Sequence, residues 1–312
     1  MRLFIHKAII FIFPIALFVV VSEYIVRQVP NDYSYKNEYL HSNSKDIETL
    51  VLGSSHSFYG INPDFFSRSA FNAAHVSQSL NYDFFIFNKY INKLSNLKTL
   101  ILPISYFTLF SQLENGKEHW RVKNYAIYYD YTHHDNVKYN YETIGEKPLI
   151  LLKKAYKHFK GSNNITVSEL GFGLNYSNVK QSDLMATGEI AAKRHTQSNL
   201  DLLDTNLGLL NKLITGSNEN GIRVVLFTPP ARKSYISHLN ENQLSVMKSS
   251  IADMIRGKSN VEYYDFMNDS RFVNEDFKDA DHLNGVGAKK LTKLIDRIIL
   301  DKTKLTHIEG MK

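Results

Sequence analysis

Short apolar runs recur along the chain with no polar alternation inside them. They are Ile47–Leu52, Leu97–Ile104, Ile222–Thr228 and Val261–Phe266, with a shorter one at Ala70-Phe71 that ends at Asn72. Runs of this length read as strands buried on both faces, as in parallel sheets. Between them, apolar residues recur at helical spacing: Leu80, Phe84, Phe87 and Ile91, then Leu200, Leu203, Leu207, Leu210 and Ile214. Two further stripes follow, Leu244, Met247, Ile251 and Met254, and Leu291, Leu294, Ile295, Ile298 and Ile299. Each stripe covers one helix face and is read as core-facing. Strands alternating with helices predict an α/β fold, a three-layer sandwich around a parallel sheet of about five strands. In such sheets ligands bind beyond the carboxyl ends of the strands.

Three segments depart from the alternation. Ala8–Val21 is fourteen residues without a charge, preceded by Arg2 and Lys7. Fourteen helical residues rise only ~21 Å, short of a ~30 Å hydrocarbon core. Leu3-Phe4-Ile5 and Tyr24-Ile25-Val26 can extend the span, with Lys7 snorkelling. Ser22–Arg27 offers no small-x-small cleavage site, so residues 1–26 read as an uncleaved signal-anchor helix. The positive-inside rule leaves Arg2 and Lys7 in the cytoplasm and the rest of the chain outside the inner membrane, in the periplasm or beyond. Residues 27–46 are polar and turn-rich and read as a stalk. Residues 47–312 form the α/β domain, with 111–195 as a cap insertion over the sheet edge. That insertion holds Tyr125, Tyr128, Tyr129, Tyr131, Tyr139 and Tyr141, which either pack the cap or stack on sugar rings. His133-His134-Asp135 raises a metal, but adjacent side chains point apart and a solvated loop is the plainer reading.

Composition narrows the chemistry. The chain has 312 residues, 43% hydrophobic and 22% charged, ample for a core. It has no cysteine, which removes thiol catalysis, Cys-ligated zinc and disulfides. The net charge of +6 is spread without a long basic run, and no nucleic-acid-binding motif is present. No phosphate loop or dinucleotide fingerprint suggests a cofactor, and no metal is expected.

The candidate chemistry lies in two distant segments. Gly53-Ser54-Ser55-His56-Ser57 directly follows Leu50-Val51-Leu52, placing a serine at the end of the first strand. Asp279-Ala280-Asp281-His282 stands near the C-terminus. A serine hydroxyl needs a base to become a nucleophile, and that base needs an orienting acid. An Asp-x-x-His step can supply both. Thr228-Pro229-Pro230 ends a strand at the same edge, and Arg232 beyond it is a candidate for an anionic substrate group or a surface cation.

In these blocks the chain resembles the SGNH (GDSL-type) hydrolase superfamily. The resemblance implies a flavodoxin-like sandwich, with Ser55 as nucleophile, His282 as base and Asp279 as orienter. Ser54 stands where the family carries Asp, and Asp281 reads as structural. The chain is closer still to membrane-anchored envelope members, the alginate-acetylation proteins and the D-alanine transfer protein. That likeness rests on Gly60-Ile61-Asn62-Pro63, Leu102–Phe107, Tyr263–Phe266 and Asp276-Phe277 through His282-Leu283-Asn284. It covers about residues 46–110 and 220–300. It implies an O-acyltransferase or esterase acting on an envelope polysaccharide, with a membrane-bound O-acyltransferase as partner. Two departures concern the oxyanion hole. Ser77, after Asn72, falls where the family has a glycine N–H donor, and Ser105 falls where it has a Gly-x-Asn amide; Asn72, Ser77 and Ser105, with Arg232, are the oxyanion or substrate-binding candidates. Substituted donors leave an inactive SGNH-like scaffold in a modification complex as the alternative.

Overall fold

The computed structural model describes residues 2–132, 136–145, 147–161, 164–174 and 183–301. His133-His134-Asp135 lies outside the described residues. The chain divides into two compact units, Met1–Glu38 with Lys117–Thr166, and Tyr39–Gly116 with Val167–Lys312.

The second unit holds the sheet. Its strands are β1 (Thr49–Val51), β2 (Ala70–Asn72), β3 (Thr99–Pro103), β4 (Arg223–Thr228) and β5 (Val261–Asp265). All neighbours run parallel, in the order β2-β1-β3-β4-β5. The α/β fold with five parallel strands expected from the apolar runs is therefore observed. Strand order reverses between β1 and β3, which makes the carboxyl ends of these two strands the crevice of the sheet.

Helices of the whole chain number in order α1 (Arg2–Arg27), α2 (Asp32–Asn43), α3 (Ser55–Gly60), α4 (Leu80–Tyr90), α5 (Val122–Tyr128) and α6 (Glu142–Gly145). They continue as α7 (Pro148–Phe159), α8 (Asp183–His195), α9 (Leu203–Glu219), α10 (Lys233–Ile236), α11 (Glu241–Ile255) and α12 (Gly285–Leu300). The apolar stripes fall on α4, α9, α11 and α12. In α9 the buried face is Leu210, Leu213 and Ile214; Leu200 precedes the helix. Leu291, Ile295 and Ile299 of α12 pack on Val51, Ile101, Val225 and Phe227 of the sheet. The start of α12 is fixed by Asn284, whose side-chain oxygen accepts from the N–H groups of Val286 and Gly287 at 2.9 and 3.1 Å.

In the first unit, α1 is the one described helix long and apolar enough to cross a membrane, with mean hydropathy 2.6 over its best window. Its 26 residues include Pro14 and continue past the uncharged core in both directions. Where the sequence suggests a turn-rich stalk, α2 forms. Asn31 caps it, its side-chain oxygen accepting from the N–H groups of Tyr33 and Ser34 at 3.0 and 3.1 Å. Of the clustered tyrosines, Tyr125, Tyr129 and Tyr139 are buried, and Tyr125 meets Tyr33 edge-on at 5.2 Å. These rings pack the unit's own core and present no stacking face. Residues 167–174 and 183–195, expected in the cap, belong to the sheet unit.

Candidate active site

The crevice is built around Gly53. Its φ of +111° is left-handed, and a Cβ there would lie 2.2 Å from Cδ of Pro103, at the end of β3. Only glycine lets the two strand ends approach this closely. The Gly53 N–H donates to Oδ1 of Asp83 at 2.7 Å, and the Gln78 amide donates to the same oxygen at 2.6 Å. Burial pushes the Asp83 carboxyl up to about 7 despite these two bonds. The turn is thus held on both sides before the chain enters α3 at Ser55.

Ser55 Oγ lies 2.7 Å from Nε2 of His282. On the other side of that ring, Nδ1 lies 3.0 and 3.1 Å from the two carboxylate oxygens of Asp279. The carboxylate can only accept, so Nδ1 carries the proton and Nε2 is left to accept from the serine hydroxyl. Asp279 also shapes its own loop. Its Oδ1 accepts from the N–H groups of Asp281 and His282 at 3.1 and 2.8 Å. Outside this turn, Lys278 N–H donates to the His282 carbonyl at 2.9 Å and Asn284 N–H to the Asp276 carbonyl at 2.9 Å. The two residues three apart are therefore fixed on one side of a closed loop.

Asp281 is the hub of a second set of contacts. It is buried, and its Oδ2 lies 3.4 Å from Nε2 of His56 and 3.7 Å from Nδ1 of His195. Its Oδ1 is 3.5 Å from Nδ1 of His282. His56 Nδ1 pairs with the Ser105 hydroxyl at 2.6 Å, and His195 Nδ1 with the Tyr235 hydroxyl at 2.9 Å. One buried carboxylate thus faces three imidazoles. Burial opposes charging His282, but the charge of Asp281 and the bond to Asp279 outweigh it, and its pKa is raised. For Asp279, burial is outweighed by the His282 bond and charge, and its pKa is lowered. Asp281 is held far below the ordinary carboxylate range by His282 and His56, against its burial. His56 is lowered, by burial above all. Burial likewise pushes His195 down to about 3, against the pull of Asp281.

The last of these predicts a pH effect on stability. An unfolded histidine takes up a proton near pH 6.5, whereas native His195 stays neutral until about 3. Stability is therefore lost as pH falls from 6.5 towards 3, at up to about 1.4 kcal/mol per pH unit from this residue. His282 acts in the opposite sense, its contribution being present below 6.5 and lost as pH rises through its folded value. In urea titrations from pH 7 to pH 4, His195→Gln should lose less stability than wild type. Parallel curves for the two proteins would refute the assignment.

The remaining sequence candidates separate. Asn72 ends β2, but its side chain is buried and its amide donates to the Ser57 and Ile61 carbonyls, both at 2.8 Å. It pins α3 and cannot serve as a side-chain oxyanion donor, contrary to expectation. The Ser105 hydroxyl is buried against His56 and belongs to the Asp281 cluster. Ser77 has a left-handed φ of +62°, a glycine-like backbone carried by a serine. Neither its N–H nor that of Ser55 meets a backbone acceptor among the described residues. Both are available to a ligand as backbone donors. Arg232 is not at the surface but 8% exposed, its N–H donating to the Ala280 carbonyl at 3.0 Å. His195, Tyr235 and Asp83 escaped the sequence reading. Asp83 left one signal, an acid on the first turn of an apolar helix. His195 left none.

His56, Asp281 and His282 bring ligand atoms within 4.8 Å of one another, a spacing a metal ion could bridge. Both nitrogens of His282 are already paired, Nε2 with Ser55 and Nδ1 with Asp279, so a bound ion would disrupt the serine's base.

No family model and no curated protein matches this chain. Among solved structures it is similar to a provisionally named platelet activating factor from Streptococcus pneumonia, at 9% identity and TM-score 0.43, over 93% of this chain and 98% of that one. It is similar to a provisionally named acylhydrolase from Bacteroides fragilis, at 11% identity and TM-score 0.42, over 86% and 95% of the two chains. A GDSL-like lipase from Bacteroides thetaiotaomicron is similar at 12% identity and TM-score 0.42, over 86% and 98%. Likeness of this depth leaves the chemistry to be read from the residues themselves.

Proposed function

We propose that the chain is a membrane-anchored serine esterase or O-acyltransferase of the SGNH type, acting on an acylated cell-envelope polysaccharide. The observation that supports it most is the unbroken line from Ser55 Oγ through the His282 ring to Asp279, with contacts of 2.7 and 3.0 Å. Ser55 Oγ bonds to the acyl carbonyl carbon as its proton passes to His282 Nε2. The N–H groups of Ser55 and Ser77 steady the oxyanion. The tetrahedral centre collapses by breaking the bond to the alcohol oxygen, which leaves with the proton from His282. The acyl-Ser55 ester is then attacked by a sugar hydroxyl or by water, which returns its proton through His282 and releases Ser55. Transfer and hydrolysis share the first half and differ only in the second nucleophile. The apolar helix α1 holds the domain at the outer face of the inner membrane, near an acyl donor handled by a membrane-bound O-acyltransferase partner.

A fluorophosphonate probe tests the serine directly. Full-length protein should be labelled at Ser55 as mapped by peptide mass, and the label should vanish in His282→Ala. An unlabelled, folded wild-type protein would make the chain a scaffold with the shape of the enzyme.

A further inference from the structure

Helices α9 and α12 turn their apolar residues inward: Leu210, Leu213 and Ile214 are buried in one, and Leu291, Ile295 and Ile299 in the other. In the first unit α7 does the reverse, with Leu151 its one buried residue. Leu149, Leu152, Tyr156 and Phe159 are 64, 65, 64 and 73% exposed. At 3.6 residues per turn these four positions fall within an arc of about 80°, one continuous apolar stripe on the solvent side. Lys153, Lys157 and Lys160 border the stripe and are also exposed. From Lys147 to Lys160 the chain carries five lysines and no acid. A folded chain rarely leaves such a face to water.

The place of α7 in its unit points to what covers the stripe. Up to Val21, α1 is exposed at every described position except Ala8; cover begins at Ser22, Glu23, Ile25 and Val26. There the Glu23 carboxylate accepts from the N–H groups of Glu142 and Thr143 at 3.0 and 2.9 Å, seating the start of α6 on the end of α1. Helix α7 follows and also packs on α1. With α1 as an anchor, α6 and α7 therefore sit where the chain leaves the hydrocarbon. The 12 residues of α7 are too few for a second span.

We propose that α7 is an interfacial helix: its apolar stripe enters the bilayer surface beside α1, and its lysines pair with the phosphate groups of anionic phospholipids. This rests on α1 as the membrane anchor of the reading above and not on the serine chemistry. Leucine and aromatic side chains on one face, bordered by lysine, suit the boundary of headgroups and acyl chains, where such helices sink by about 5–10 Å. Lysines at that level gain further from anionic lipid. The first unit is then held to the membrane by two elements and does not swivel freely about α1.

The chain has no cysteine, so a single label can be placed at any chosen position. Full-length Leu149→Cys, Leu152→Cys, Tyr156→Cys and Phe159→Cys, each carrying an NBD fluorophore, are reconstituted in nanodiscs of phosphatidylcholine and phosphatidylglycerol. A lipid with a doxyl quencher just below its headgroup should remove most of the emission from all four. Lys157→Cys and His158→Cys, off the stripe, should lose far less. Replacing Lys153, Lys157 and Lys160 by Gln in the Leu152→Cys protein should weaken the quenching, as should discs of phosphatidylcholine alone. Phe13→Cys, on the exposed surface of α1, is the control for the anchor. A quenched Phe13 label with an unquenched stripe overturns the proposal and leaves the anchor standing; stripe labels that are then also shielded from aqueous iodide place a second copy on that face. If the Phe13 label is unquenched too, the anchor reading falls together with the proposal. Equal quenching around the whole helix overturns it as well, and quenching indifferent to phosphatidylglycerol overturns the assignment to anionic lipid.

Discussion

Ser55→Ala should reduce acyl-ester cleavage by about 10⁴-fold or more, with the fold and melting midpoint unchanged. Only the hydroxyl is lost, and its one hydrogen bond among the described residues is with His282 Nε2. His282→Ala should be comparably severe, because the serine then has no base. The double variant should be little worse than either single one, since the two groups act in one step. Asp279→Asn should be as damaging or milder. It keeps the loop's shape but favours the imidazole tautomer that cannot accept from Ser55. Asp281→Asn separates the two carboxylates. Asp281 raises the His282 pKa through its charge, so its loss should shift the acidic limb of the pH–rate profile to lower pH. Ser54→Ala should retain most activity, because the Ser54 hydroxyl has no hydrogen-bond partner among the described residues. The measurement is kcat/KM on an acetyl ester across pH, at matched folded concentration. Wild-type rates in Ser55→Ala would end the nucleophile assignment.

Gly53→Ala should destabilise the protein by about 3–5 kcal/mol, the sum of a non-glycine residue in a left-handed backbone and an overpacked contact. The obstacle is the Pro103 ring, 2.2 Å from the new Cβ and fixed at the end of a buried strand. Neither side can yield easily. The Gly53 N–H is anchored on Asp83, and Pro103 lies in the sheet between β1 and β4. Against a typical stability of about 5–15 kcal/mol, the loss takes a large share of the total. Residual folded protein should also be poorly active, since Ser55 is two residues away. Urea midpoints measured on the two proteins decide it, and an unchanged midpoint would show that β1 and β3 can separate without cost.

Much of this protein is local in origin. Strands β1 to β5 and helices α4, α9, α11 and α12 were legible because burial on both faces forces continuous apolar runs, and burial on one face forces a helical stripe. Asp279 and His282 could be paired from the sequence because their contact spans three residues of one loop. Ser55 was legible from its place after a strand. The capped helix α2 was not, because its polar residues look like a turn until Asn31 is seen to close the first turn. The rest depends on residues far apart in the chain. Asp281 reads as a spacer between acid and base until the fold brings His56 and His195 to it from 225 and 86 positions away. Arg232 reads equally as a surface cation or a substrate contact until the fold buries it, with its N–H on the Ala280 carbonyl. Sequence pattern reports which residues avoid water and what a single turn of chain can do. Which titratable groups share a dry space, and therefore which are charged, was decided only when the sheet closed around them.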